Sequence, residues 1–143
     1  PAIRFRPISH LQQIVVARRD HPVAMSRSAA DLACDEWLCI VRREATAQAL
    51  RSIGVPEPKR ITECESFSAI LTLLPKTDML AVVQHPFLGM PHVAQVIQEI
   101  AIVERLPGLT VGLHTRADSP LTKPAAALAR LLFDTGRRLL QRN

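Results

Sequence analysis

Short apolar runs that alternate with stretches of helical spacing constrain this chain more than any other feature. Ile14-Val15-Val16-Ala17, Trp37 to Val41, and Met79 to Val83 are too short for buried helices and rich in β-branched residues, so they read as interior strands. Arg60 to Glu65 alternates and reads as another strand. Between these runs, Ser28 to Ala33 forms a short helical turn with Ser26 or Ser28 as its cap. Glu44 to Ile53 puts Ala45, Ala49, Leu50 and Ile53 at helical spacing, and Gly54 suits the C-terminal cap. Ser66 stands where a helix over Phe67 to Leu74 begins, and Pro75 ends that helix.

Two further strands, Val96 to Leu106 and Leu109 to Thr115, flank Pro107-Gly108. The last helix, Pro124 to Leu140, carries an apolar face of Ala127, Leu128, Leu131, Leu132, Leu139 and Leu140, with Pro124 in its first turn. Strands alternating with helices predict an α/β fold with a mostly parallel central sheet. Ligands in such folds bind beyond the carboxyl ends of the strands.

Composition removes several function classes. The 143 residues carry a net charge of +5, which raises the question of nucleic acid. The basic residues are scattered as pairs (Arg18-Arg19, Arg42-Arg43, Lys59-Arg60, Arg137-Arg138), and aromatics make up 3% with no Tyr. That pattern is ordinary solvated surface and lacks the stacking side chains of a single-strand binder. Cys34, Cys39 and Cys64 form no CxxC pair and no ligand spacing with His85 or His92, so they read as reduced core thiols of a cytoplasmic protein. No metal and no cofactor is expected. No apolar run reaches the roughly 18 residues of a membrane span, and no signal peptide is visible.

The sequence holds no GxGxxG, GxxxxGK[ST], GxSxG or HExxH. Ser66 follows a strand and starts a helix, but without flanking glycines it reads as an N-cap. The carboxylates Asp35-Glu36 and Glu63/Glu65 read as solvent-facing, and no residue is assigned to catalysis. The most suggestive site is Arg42-Arg43-Glu44-Ala45-Thr46, where a strand ends and a helix begins. Free backbone N–H groups and the positive end of the helix dipole favour an anion there, and guanidinium forks match carboxylate or sulfonate oxygens. The other reading has both arginines in solvent, with Thr46 or Glu44 merely capping the helix.

Three stretches taken together resemble the LysR-type regulator family. The first is Ile14-Val-Val-Ala-Arg-Arg-Asp-His-Pro-Val-Ala with Ser28-Ala-Ala-Asp-Leu-Ala and Trp37. The second is Gly54 with its loop, Glu65-Ser66, an apolar helix, and Met79 to Val83. The third is Leu109 to Arg116 with Ser119-Pro-Leu-Thr-Lys-Pro-Ala-Ala. The sequence departs from the family's usual residues at Thr77-Asp78 and at Gln84. Val55-Pro-Glu-Pro-Lys with Cys64-Glu-Ser-Phe also resembles a subgroup that senses aromatic sulfonates.

The resemblance implies an effector-binding domain like a periplasmic binding protein, with a ligand cleft between two α/β subdomains. Residues about 20–107 would form the second subdomain, and 1–19 with 108–143 the crossover strands and the C-terminal part of the first. Carried over, Arg42, Arg43, Glu44 and Thr46 would face the cleft, with Ser66, Val82, Val83 and Gln84. The expected partners are a small anionic effector and other copies of the chain. The start at Pro1 without Met fits a fragment that lacks the rest of the first subdomain and the helix-turn-helix through which the parent protein would meet DNA. The alternatives are a stand-alone periplasmic-type small-molecule-binding protein and a small α/β enzyme using Ser66 or a carboxylate.

Overall fold

The apolar runs become strands because helices cover both faces of the sheet they build. The structure, a computed structural model, describes residues 2–32, 36–40 and 42–140. Cys34, Asp35, Val41 and the Leu140 side chain, which entered the sequence reading, lie outside the described residues. Along the chain the elements are β1 (Ile3–Leu11), β2 (Gln13–Arg18), β3 (Glu36–Cys39), α1 (Arg43–Ser52), β4 (Arg60–Glu63), α2 (Phe67–Leu73), β5 (Leu80–Gln84), α3 (Pro91–Ala94), β6 (Ile97–Glu99), β7 (Leu109–Arg116) and α4 (Lys123–Leu140). Short 3-10 turns lie at Ala29–Leu32, Leu74–Lys76 and His85–Gly89. The chain divides into two units, Gln12–Pro107 and Pro1–Leu11 with Gly108–Asn143.

In the 12–107 unit the strands order β4-β3-β5-β2-β6. β3 is parallel to β4 and to β5, while β2 is antiparallel to β5 and to β6. The sheet is therefore mixed, with β2 alone reversed, where the sequence reading expected a largely parallel one. One face packs Trp37, Cys39, Ala47, Leu50, Ile61 and Val82 under α1. The other packs Leu38, Ile70, Leu74, Val83, Val93 and Ile97 under α2 and α3. Successive side chains of a strand point to opposite faces, so a strand covered on both sides is apolar throughout.

Two turns hold this unit in register. Asp20 has a positive φ of 58°, and the Arg18 guanidinium donates to the Arg19 and Asp20 carbonyls and to Asp78 Oδ1. The buried His21 ring bonds at both nitrogens: Nδ1 accepts the Val23 N–H at 3.2 Å, so Nε2–H donates to the Asp78 carbonyl at 3.1 Å. The departures at Thr77-Asp78 thus sit in a clamped turn. Gly54 takes φ 81° just past α1, a conformation costly for a residue with a Cβ, and the cap places Val55 in the core.

Beyond Glu99 the expected long strand gives way to irregular chain. Ile100 still donates to Val15, but Ile102 turns back on Ile100 and Val103 bonds Arg27. Glu104 then accepts from the Ser28 hydroxyl and the Ala29 N–H, closing the first 3-10 turn. Ser28 Oγ also accepts the Ala30 N–H at 3.3 Å, as a cap does.

In the second unit β1 pairs antiparallel with β7 from Ile3↔Arg116 to Leu11↔Leu109, with an irregularity between Pro7 and Ser9. The apolar runs marked no strand at Ile3–Leu11, although the resemblance put 1–19 among the crossover strands. Helix α4 lies on this ribbon. Arg6 stacks 4.3 Å over the Phe133 ring, and a Cβ on Gly136 would come within 2.9 Å of Ile8. Leu128, Leu131, Leu132 and Leu139 of α4 are exposed. By sequence this unit holds eight Arg or Lys against two Asp, whereas 12–107 holds ten against eleven Asp or Glu. The net positive charge is therefore confined to the smaller unit.

Candidate functional site

The parallel register of β3 and β4 brings Cys39 opposite Glu63, so both strands end at one edge of the sheet. Cys64 N–H donates to the Cys39 carbonyl at 2.8 Å and extends that pairing by one step. The chain then leaves β3 through Ile40 and Arg42 and starts α1. Arg42 is the N-cap residue, with φ −54° and ψ 141°, and no side chain caps the helix. The Ala45 and Thr46 N–H groups both go to the Arg42 carbonyl. The Arg43 and Glu44 amides, at the head of the helix, have no intrahelical acceptor.

An open pocket of about 440 Å³ lies at this corner, lined by Ile40, Arg42, Ala45, Glu63, Cys64 and Glu65. Its walls carry one guanidinium, two carboxylates, a thiol and two apolar side chains. Thr46 is buried and hydrogen-bonds Cys39, tying the first turn of α1 to the end of β3. Burial holds the Cys39 thiol above its ordinary pKa, against the lowering effect of the Thr46 bond, with Glu63 raising it further. That thiol belongs to the core beneath α1 and does not line the pocket. Cys64 is only partly buried and lines the pocket, but its side chain packs against the core on the α2 side and its thiol meets the Ser66 carbonyl at 3.7 Å.

Arg42 is thus on the pocket wall, and Arg43 and Glu44 are exposed beside it on the first turn of α1. Ser66 is exposed at the head of α2, but its hydroxyl bonds Ser68 Oγ at 2.7 Å and does not cap the helix. Gln84 ends β5 opposite Gln13. Val82 and Val83 do not join the pocket: their side chains belong to the two opposite cores. Any part they take in contacting a ligand would be by backbone.

Glu63 and Glu65 are exposed, as read from the sequence, and with the partly buried Cys64 they also line the open pocket. The sequence carried no signal for this, since only the parallel β3–β4 register brings them to the pocket. A second hollow, about 250 Å³, opens between the start of β2 and residues 99–106. Glu104 in its wall is already bonded. Among the described residues no three His, Cys, Asp or Glu side chains are grouped to hold a metal, and no helix is long and apolar enough to cross a membrane.

Comparison with known proteins gives this geometry a context. The family model of the LysR substrate binding domain matches residues 1–137. The SDS degradation transcriptional activation protein of Pseudomonas sp. (strain ATCC 19151) is 27% identical over 149 residues; the match takes in 96% of this chain and 47% of that protein's length. The effector binding domain of QuiR, solved in complex with shikimate, superposes with a TM-score of 0.74 at 17% identity, covering 95% of this chain and 66% of that one. The CcmR regulatory domain of Synechocystis, solved in complex with 2-PG, superposes with a TM-score of 0.74 at 17% identity, covering 94% and 67%.

Proposed function

Because this chain belongs to the LysR substrate-binding domain family, we propose that it is the effector-sensing portion of a bacterial transcription regulator acting in the cytoplasm, taking a small acid at the corner between β3 and α1. The observation that carries this reading is the pocket at the carboxyl ends of two parallel strands, where Arg42 stands beside an uncapped helix N-terminus. Backbone amides and the helix dipole favour negative charge there, and a guanidinium adds charge-assisted hydrogen bonds. Shikimate, found with the QuiR effector domain, is itself a carboxylate.

The functional sequence is binding without chemistry. The effector favours one arrangement of the two subdomains over another, and the difference in its affinity for the two sets how far the regulator shifts. Residues 12–107 serve as the second subdomain, and 1–11 with 108–143 as part of the first. Promoter DNA is met through a helix-turn-helix elsewhere in the parent protein. The exposed leucines of α4 support self-association of this chain.

The test of the regulator reading is the encoding gene upstream of Pro1. A winged helix-turn-helix pattern there is the expected result. A secretion signal directly before Pro1 would replace the regulator with a stand-alone periplasmic-type binding protein of the same fold.

A further inference from the structure

We propose that the effector taken at this corner is a zwitterion, with its acid group at Arg42 and the head of α1 and a protonated amine at Glu63 and Glu65. The inference rests on the assignment of the corner pocket as the effector site and adds the chemistry of the other wall.

Six residues line the pocket, and three of them are charged with mixed sign. Arg42 stands at the N-cap of α1. Glu63 is fixed by the β4 register opposite Cys39, and Glu65 follows two residues later. Among the described residues none of the ion pairs uses Arg42, Glu63 or Glu65; the pairs are Arg18–Asp78, Arg60–Glu36 and Arg116–Asp118. Opposite charges therefore share one cavity without neutralising each other, each held on its own element. A ligand that is only an anion would meet two carboxylates, and one that is only a cation would meet the guanidinium and the helix dipole. A molecule with both charges satisfies both walls, and Ile40 and Ala45 offer contact to a short aliphatic stem. The volume of about 440 Å³ falls in the range of small-ligand sites.

The test uses the full chain, with unfolding followed through its single tryptophan, Trp37. The probes are the common amino acids, taurine and γ-aminobutyrate, each beside its N-acetyl derivative and, for the carboxylates, its methyl ester. At least one zwitterion is expected to bind about tenfold or more tightly than either blocked form, a difference of about 1.4 kcal/mol. Glu63→Gln with Glu65→Gln should abolish its advantage over the N-acetyl form. Arg42→Gln should abolish its advantage over the ester. An N-acetyl derivative that binds the unsubstituted chain as tightly as its parent, and more tightly still after Glu63→Gln and Glu65→Gln, would overturn the zwitterion and leave the acid site standing. No Arg42-dependent binding by any probe would overturn both.

Discussion

Helices α1 and α4 are both amphipathic, but only α1 has a sheet broad enough to cover its apolar face. Thr46, Ala47, Ala49 and Leu50 are buried against the five-stranded sheet. On α4, Leu131 is 64% and Leu139 63% exposed, because the ribbon of β1 and β7 meets only the side that carries Phe133 and Gly136. The same kind of sequence pattern thus ends in a core in one unit and on the surface in the other. The comparison teaches that the 12–107 unit carries its own core, while the smaller unit presents apolar surface together with all the net positive charge.

The largest effect expected from this comparison is on stability. Leu50→Ala should cost about 2–5 kcal/mol in urea unfolding, since it empties a closed core, whereas Leu131→Ala should stay within about 0.5 kcal/mol. Equal costs would mean that the α4 face is covered, and the contrast would fail. Next comes His21, whose ring satisfies two backbone groups. His21→Ala should cost about 1–3 kcal/mol because those groups are left without partners, and a loss below that range would show water replacing the ring. Light scattering sharpens the other side of the contrast. The unsubstituted chain should show a mass above one chain at high concentration, and Leu131→Lys with Leu139→Lys should return it towards one.

The smallest effect separates the units by pH. Glu104 in the larger unit is held below its ordinary value of 4.5, mainly by the Ala29 N–H. Asp118 in the smaller is held below 3.8, mainly by Arg116. A carboxyl with a lowered folded pKa contributes its full share above the ordinary value and loses it as pH falls through the lowered one. Unfolding free energy should therefore decline below about pH 4.5, with Glu104→Gln flattening the slope for the larger unit and Asp118→Asn for the smaller. An unchanged slope in both variants would remove these carboxylates from the pH response.

The sequence was most readable where burial on both faces forced continuous apolar runs, as at Ile14–Ala17 and Leu80–Val83. It was least readable where pairing depends on distant partners. Ile3-Arg4-Phe5-Arg6 alternates as a strand should, but Pro7 hid it, and the strand survives Pro7 because the ladder is irregular there. Val96 to Leu106 looked like one strand because Ile100 and Leu106 are core residues, although the backbone between them turns away. Arg42 could be found from a strand end meeting a helix start. Glu63 and Glu65 could not, since only the β3–β4 register brings them to the same pocket.

The most direct test of the account is to titrate small carboxylates and sulfonates into the full chain and into Arg42→Gln, side by side. At least one ligand is expected to lose about tenfold or more in affinity with the substitution, the scale of a lost charge-assisted hydrogen bond. Ligands that bind both forms equally would place the effector away from the β3–α1 corner and contradict the account.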